Sequence, residues 1–331
     1  MKEPGDAAAC DRASAVAVDV RGRNLILGVA EGMDRDEIEP FVLSLRRTRF
    51  DGHIAIYVAD LPASTIAFLE SFGIEARRMR RLQASVSGKR YFPYDLRFAR
   101  LHSTYPRLIS AASTLSRDPA LTAARLAAPI SVRDVRRFFL YYRYLRRYGR
   151  TYENVMLTDV RDVIFQDDPF DFDIDSALHC FLEDSRATLA TEPHNYKWLR
   201  MAFGDDVAAE LGGYPIACAG VTIGPTHLVV EYLRVMVEHL LRLRVQAIGL
   251  DQAVHNYVLH SERVPSARLV PNGAGIVATL GIVPAEDVGP LLGAAVLHQY
   301  DRHPSLSASL REAVTTRDAV GGSTPDSQHR R

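Results

Sequence analysis

The sequence predicts an α/β protein in which helices flank a mostly parallel central sheet. Short runs of aliphatic and β-branched residues alternate along the chain with segments that have helical periodicity, which is the pattern of this fold class. The length of 331 residues suits one large α/β domain or two small ones. A hydrophobic content of 47% is enough for a large core and excludes a disordered chain.

The chain opens with two strand and helix units. The run LILGVAEG, from residue 24 on, predicts the first strand. The helix after it has apolar residues at helical spacing: Ile38, Phe41, Val42 and Leu45. Three further elements follow: strand HIAIYVAD (53–60), helix STIAFLESFG (64–73) and strand GIEARRM (73–79). Because strands joined through helices run parallel in one sheet, this order predicts a parallel sheet.

Residues 84–130 contain four prolines and scattered aromatic residues, which predicts an irregular helical insertion. A regular helix then begins with Ser131 and Asp134 at capping-box spacing and ends at Gly149. Its apolar face is Val132, Val135, Phe138, Phe139, Tyr142 and Leu145. Its other face carries Arg133, Arg136, Arg137, Arg143 and Arg147. These arginines either form a solvated surface or face an anion, and both interpretations stay open.

The second half of the chain continues the alternation. The predicted strands are ALHCFLE (177–183), CAGVTIG (218–224) and GAAVLHQY (293–300), and the predicted helices are 226–244 and 251–260. We expect a flexible N-terminus over residues 1–20 and a disordered tail over 311–331, because neither end has much apolar content. Residues 21–310 then form one domain with the insertion 84–130.

Composition limits the kinds of binding partner and the cellular compartment that we expect for the chain. The formal net charge of zero makes nucleic acid an unfavourable partner. Cys10, Cys180 and Cys218 show no metal-type spacing and suit a reducing compartment. The acidic N-terminus is unlike a signal peptide, and no run reaches the length of about 18 apolar residues that predicts a transmembrane helix. We therefore expect a cytoplasmic protein, for which peripheral contact with a membrane surface is compatible but not indicated.

Two acids follow a predicted buried strand in VMLTDVRDVIFQDDPF, residues 155–170. Asp159 and Asp162 come where the strand ends, and ligands of open α/β sheets bind at the carboxyl ends of strands. One interpretation is structural, with a salt bridge to Arg161 or a helix cap formed by Asp159. The other is a site for Mg²⁺ or Mn²⁺, since these ions take carboxylate oxygens together with the phosphates of a nucleotide.

The stretch TDVRDVIFQDDPF resembles the Asp-x-Asp region of nucleotide-sugar-dependent glycosyltransferases with the GT-A fold, particularly retaining groups such as families 8 and 77. That pattern has one residue between its acids, whereas here Val160 and Arg161 separate Asp159 from Asp162. The resemblance thus implies that the two acids act together on the metal and the donor, without assigning a separate role to either.

The resemblance extends over residues 24–303 and implies further site residues. CAGVTIGP would line the donor-sugar pocket at Gly220, and residues 24–60, with Ala30, would begin the nucleotide site. DQAVHN would place Asp251 and Gln252 beside the reacting sugar. VLHQYDRH would complete the metal site with His298, or with His303 in reserve. The remaining candidates are Arg137 and Arg143 for the diphosphate, and Trp198 and Glu183 for the acceptor.

The implied function is a metal-dependent transfer of a sugar from a nucleoside-diphosphate donor to a glycan, lipid or small-molecule acceptor. The segments 84–130 and 190–215 would be lids that exclude water. Purely structural interpretations of three residues stay open: Asp251 caps its helix, His298 is an ordinary polar residue, and Trp198 makes ordinary packing contacts. Two other functions compete, a GT-A-like module that binds without turnover, and a haloacid-dehalogenase-type phosphohydrolase. The latter needs closer acids near the start of its domain.

Overall fold

The computed structural model of the chain describes residues 24–81, 84–86, 89–91, 105–243 and 247–316. The flexible N-terminus predicted for residues 1–20 lies outside these ranges. The strands are β1 Asn24–Glu31, β2 His53–Ala59, β3 Glu75–Arg78, β4 Ala84–Val86, β5 Lys89–Tyr91, β6 Asn154–Thr158, β7 Val163–Phe165, β8 Leu178–Leu182, β9 Ala217–Pro225, β10 Ala267–Val270, β11 Val277–Thr279 and β12 Val296–His298. The helices are α1 Arg35–Arg47, α2 Ala63–Ser71, α3 Tyr105–Thr114, α4 Pro119–Ala127, α5 Arg133–Tyr148, α6 Pro193–Phe203, α7 Asp205–Leu211, α8 Thr226–Leu240, α9 Leu250–His260 and α10 Pro304–Thr316.

A seven-stranded sheet forms the centre of the structure, in the order β3-β2-β1-β6-β9-β8-β10. All neighbouring strands are parallel except that β9 is antiparallel to both β6 and β8. The predicted mostly parallel sheet is therefore confirmed. The carboxyl ends of β6 and β8 and the first residues of β9 consequently meet at one edge, which brings together residues 159, 183 and 218–220.

A second, three-stranded sheet in the order β11-β12-β7 adjoins the chain just after the two acids. Strand β12 is antiparallel to β7, and His298 is the partner of Val163 in that register. Since Val163 follows Asp162 directly, the pairing of β12 with β7 places His298 close to Asp162.

The core has two parts, one on each face of the main sheet. Along β1, Leu25, Leu27 and Val29 belong to one cluster, whereas Ile26 and Ala30 belong to the other, as the alternation of a strand requires. Helices α5, α8 and α9 cover the first face. Helices α1 and α2 and the small sheet cover the second. Helices on both faces agree with the predicted α/β class.

Several local predictions differ from the structure. Val132 is the N-cap residue of α5 and makes no side-chain cap, so the predicted capping box is wrong. The segment 190–215, which the resemblance implies as a lid, is mostly helical and contains α6 and α7. Within the predicted insertion 84–130 the described residues form the β4–β5 ribbon and helices α3 and α4.

Two further outcomes concern the end of the chain and membrane spans. Residues 311–316 belong to α10, which corrects the predicted disorder over that stretch, and residues 317–331 lie outside the described part. None of the helices in the described ranges combines the length and apolar content needed to cross a membrane.

Candidate metal centre

Asp159 and Asp162 lie on a bend between β6 and β7 that is held at both ends by backbone hydrogen bonds. The Asp159 N–H donates to the carbonyl of Gly220 at 2.8 Å, and the Gln299 N–H donates to the carbonyl of Asp162 at 2.7 Å. The first bond ties the bend to β9, and the second ties it to the residue after β12. The main sheet and the small sheet thus fix the two acids together.

The two residues between the acids point in opposite directions. Val160 is buried in the core beside Gly28, where an added Cβ would lie only 2.7 Å from the Val160 side chain. Arg161 turns outward and pairs with Asp301 at 3.3 Å, and neither acid is its ion-pair partner. The wider acid spacing therefore makes a bend that still brings both carboxylates to one side. The structural interpretation in which Arg161 neutralises the acids is wrong.

His298 completes a three-residue cluster with the acids. Its Nε2 lies 3.5 Å from Oδ2 of Asp159 and 3.8 Å from Oδ1 of Asp162. One ligand atom from each of the three residues lies within 4.8 Å of the others. The imidazole is buried, and its Nε2 has no hydrogen-bond partner among the described residues. Nε2 is thus an orphan for hydrogen bonding although both carboxylates lie at ion-pair distance from it, and a bound cation would give it a direct partner.

Gly220 keeps the space in front of this cluster open. A Cβ at this position would lie 2.2 Å from Cε1 and 2.4 Å from Nε2 of His298, and 2.8 Å from Oδ2 of Asp159. Any other residue at position 220 would fill the space between the ligand atoms. Two carboxylates and one imidazole around a small protected space suit a divalent cation such as Mn²⁺ or Mg²⁺. The donor set and the orphan nitrogen therefore fit the ion that the resemblance implies.

The electrostatics of the cluster favour a positive charge between the acids. Burial opposes a charged imidazole, but the contacts with Cys218 and Asp159 and the charge of Asp162 raise the pKa of His298 well above its ordinary value. Burial also opposes the Asp159 carboxylate, yet Arg137 and His298 outweigh it and lower the pKa of Asp159. Burial raises the pKa of Asp162, and the neighbouring Asp159 adds to this. A bound cation would meet the same demand for positive charge.

Arg137 reaches the cluster from α5. Its guanidinium donates to Oδ1 of Asp159 and, at 2.6 Å, to Oδ2 of Asp251. Burial disfavours its charge, but these two carboxylates raise the pKa of Arg137 well above its usual value. Burial in turn raises the pKa of Asp251, against the influence of Arg137. One guanidinium thus joins a candidate metal ligand to a candidate catalytic acid.

The solvated interpretation of the arginine face is wrong for Arg136 and Arg137. Arg136 is fully buried and pairs with Glu31 at 2.5 Å, at the carboxyl end of β1. Arg143 lies six residues beyond Arg137, about 9 Å along the helix. Its charge acts on Tyr57 instead: burial raises the pKa of that phenol, and the charges of Arg77 and Arg143 lower it. Of the two arginines predicted for the diphosphate, the structure brings only Arg137 to the acids.

Gln252, Asn256 and Glu183 form a buried hydrogen-bond network behind the cluster. Oε1 of Gln252 accepts from the Ala219 N–H at 2.7 Å, and its Nε2 donates to Oε1 of Glu183 at 3.0 Å. Asn256 donates to the carbonyl of Ala217 and accepts from its N–H. Both ends of the Gln252 amide are therefore occupied, and α9 fastens the start of β9. Burial raises the pKa of Glu183 to about 7.

The other predicted site residues have different surroundings. Trp198 is half-buried and packs on Gly249, just before α9, so it supports that helix start. Gly249 has a φ of 84°, which favours glycine. Ala30 is fully buried and belongs to the core on the second face of the sheet. His303 is not part of the cluster, because its Nε2 meets the carbonyl of Leu280 at 2.9 Å.

Two residues near the site were missed by the sequence interpretation. Cys218 lies with its Sγ 3.5 Å from Nδ1 of His298. Its only sequence signal is its place two residues before Gly220 in a predicted strand. Glu31 closes β1 and pairs with Arg136, and the signal for it is an acid at the end of the apolar run LILGVAEG. Both signals were weak because strand-end polar residues are common.

No protein-family model matches this chain, and no curated protein matches its sequence.

Proposed function

We propose that this protein is a metal-dependent glycosyltransferase that uses a nucleoside-diphosphate sugar as donor. The observation that carries the proposal is the convergence of Asp159, Asp162 and His298 around a space that Gly220 keeps open. The seven-stranded, mostly parallel sheet is the architecture that the resemblance to GT-A enzymes predicts. The cluster follows β6, at the edge where ligands of such sheets bind.

Asp159, Asp162 and His298 would hold Mn²⁺ or Mg²⁺. When bound, such an ion stabilises the negative charge that develops on the departing diphosphate. Gly220 leaves room for the ion and for close approach of the donor to the backbone of β9. The buried Nε2 of His298 then gains the partner that it lacks among the described residues.

Arg137 and Asp251 supply the charges beside the metal ligands. The guanidinium of Arg137 lies on the acidic cluster and is positioned to add positive charge near the diphosphate. It also holds the Asp251 carboxylate in place, beside the position where the resemblance puts the reacting sugar. An anomeric carbon with oxocarbenium character is stabilised by a nearby carboxylate. The hydrogen bonds of Gln252 with the Ala219 N–H and with Glu183 fasten α9, which carries Asp251, to β9 and to the end of β8.

A binding module without turnover is the second candidate. It is favoured by the pairing of both Asp159 and Asp251 with one arginine, because acids that are already neutralised are poorly suited to chemistry. The phosphohydrolase alternative has no comparable support, since it requires its acids after the first strand of the sheet and here they follow the fourth.

A donor screen separates these candidates. Purified full-length protein is incubated with a panel of nucleoside-diphosphate sugars, with Mn²⁺, Mg²⁺ or EDTA, and release of nucleoside diphosphate is measured with and without sugar acceptors. We expect release with at least one donor only when the metal is present, and its loss in the double variant Asp159→Asn with Asp162→Asn. The matched control is Asp167→Asn with Asp171→Asn, two exposed acids of the same segment.

The outcomes of the screen are distinct. Calorimetric binding of a nucleoside diphosphate without release from any donor would favour the binding module. Unchanged release in the Asp159 and Asp162 double variant would exclude the metal-centre assignment. Loss of release in the double control would point to general damage rather than to the acids.

A further inference from the structure

A line of buried side chains runs from His298 into the protein, away from the acids. Nδ1 of His298 lies 3.5 Å from Sγ of Cys218. Burial raises the pKa of the Cys218 thiol, and the negative charge of the nearby Glu183 carboxylate adds to this rise. Glu183 in turn accepts from Nε2 of Gln252, whose Oε1 accepts from the Ala219 N–H. All four side chains have less than a tenth of their surface exposed.

The direction of these hydrogen bonds follows from the orientation of the imidazole. A histidine binds a metal through the lone pair of one nitrogen, and its other nitrogen then carries a proton that needs an acceptor. Because Nε2 of His298 faces Asp159 and Asp162, Nδ1 is the nitrogen that carries the proton in a metal-bound state. The atom that meets this N–H is Sγ of Cys218.

The line of side chains can then form hydrogen bonds that all run in one direction, from the imidazole toward the Glu183 carboxylate. The imidazole donates to the thiol sulfur, the thiol is free to donate in turn to the nearby Glu183 carboxylate, and Glu183 accepts from Nε2 of Gln252. Sulfur is a weak acceptor, and a carboxylate behind the thiol strengthens it by polarising the S–H bond, while the proton stays on the sulfur. In many metal sites a carboxylate or carbonyl contacts the histidine directly. Here a thiol stands between the imidazole and the carboxylate.

We propose that Cys218, supported by Glu183, is the positioning residue that fixes the tautomer and the ring orientation of His298 for metal binding. This inference rests on the metal centre of the proposed function but not on sugar transfer. Without Cys218 the buried Nδ1–H would lack an acceptor, and the ring would be free to rotate or to change its tautomer.

The test is the affinity of the full-length protein for Mn²⁺ alone, measured by titration calorimetry or by electron paramagnetic resonance. Cys218→Ala is expected to weaken Mn²⁺ binding by about ten-fold to a hundred-fold, the usual effect of removing the partner of a metal-binding histidine. Cys218→Ser keeps a hydroxyl in the line and should restore most of the affinity. Cys180→Ala is the matched control, because Cys180 is equally buried in the core on neighbouring β8.

A second variant keeps the test independent of the cysteine. In Glu183→Gln the new amide oxygen can still accept from Gln252, and its N–H₂ group then faces the thiol, where it cannot accept a hydrogen bond. We expect this variant to weaken Mn²⁺ binding measurably, but less than Cys218→Ala does. Thermal unfolding of the metal-free variants checks that each is folded.

The proposal is overturned if Cys218→Ala binds Mn²⁺ as tightly as the unaltered protein, or if Cys180→Ala loses affinity to the same extent. It also fails if Cys218→Ser is as weak as Cys218→Ala while both are folded. Absence of Mn²⁺ binding in the unaltered protein, matched by His298→Ala, would instead reject the metal centre itself.

Discussion

Arg137 and Asp251 form a buried ion pair, with 2.6 Å between Nη2 and Oδ2, although 114 positions separate them in the chain. The same guanidinium also donates to Asp159. The start of α9 is thereby joined through α5 to the bend that carries Asp159 and Asp162, the two proposed metal ligands. The charges of the site are thus linked before any ligand binds.

Removal of Arg137 should destabilise the fold as well as the site. Arg137→Ala leaves the carboxylates of Asp159 and Asp251 without their partner, and breaking a buried pair in this way typically costs about 3–5 kcal/mol. Urea unfolding at neutral pH measures the loss in the free energy of unfolding. The control is Arg147→Ala, an exposed arginine on the same helix. If the two substitutions lowered the free energy of unfolding equally, the ion pair with Asp251 would contribute no measurable stability.

Gly220 should tolerate no side chain. Gly220→Ala places a methyl group 2.2 Å from the His298 ring, so His298 or the strand must shift, and overpacking of this kind costs about 1–3 kcal/mol. We expect Mn²⁺ affinity to fall by at least ten-fold, as measured by calorimetry. Gly213→Ala is the control, because a Cβ there meets no atom within 4 Å. Undiminished Mn²⁺ binding by Gly220→Ala would mean that the ion lies elsewhere.

The two late histidines should differ sharply in their effect on the metal requirement. His298→Ala removes a ligand atom and should raise the Mn²⁺ concentration needed for half-saturation by ten-fold or more. His303→Ala should leave it unchanged, since Nε2 of His303 contacts the carbonyl of Leu280 instead. A Mn²⁺ titration of both variants tests this. The reverse order of effects would transfer the ligand role to His303.

Stability should fall on acidification because of His255, which is fully buried with its Nδ1 2.7 Å from the Tyr232 hydroxyl. Burial, with smaller contributions from nearby positive charges, lowers its pKa from 6.5 to about 3. A histidine whose pKa is lower in the folded state binds its proton more readily when unfolded. Its contribution to stability is therefore complete above pH 6.5 and declines as the pH falls toward 3.

The size of this effect is about 1.4 kcal/mol per pH unit at most. Urea unfolding at pH 6.5 and 4.5 should show that the protein loses roughly 2 to 3 kcal/mol more than His255→Gln does between these values. His227→Gln, at an exposed position, should keep the full pH dependence. An identical slope for the unaltered protein and His255→Gln would show that His255 is not the responsible group.

The sequence predicted the sheet from local signals, and it predicted the cluster of Asp159, Asp162 and His298 from strand-end positions together with the family resemblance. The alternation of strands and helices requires only periodicity over neighbouring residues, and Asp159, Asp162 and His298 each stand next to a short apolar run. Strands β7, β11 and β12 have three residues each, too few for a periodic pattern, and β7 and β11 were not predicted. Yet the pairing of β12 with β7 is what brings His298 to Asp162.

The missed features depend on contacts between residues that are distant in the chain. The bend at Asp159 is set by the burial of Val160 against Gly28, on another strand. Arginine residues on a helix usually face solvent, and the burial of Arg136 and Arg137 depends on carboxylates that other elements supply: Glu31 for Arg136, and Asp159 and Asp251 for Arg137. The importance of Cys218 depends on its contact with the ring of His298, 80 residues later in the chain. No local pattern contains these pairings.

The most direct test of the central claim is the position of manganese in crystals of the full-length protein soaked in Mn²⁺ alone. An anomalous difference map recorded near the manganese absorption edge should show a peak bonded jointly to Asp159, Asp162 and His298. The same soak of the Asp159→Asn and Asp162→Asn double variant should lose that peak. A map of the unaltered protein at saturating Mn²⁺ with no peak between these three side chains would contradict the account.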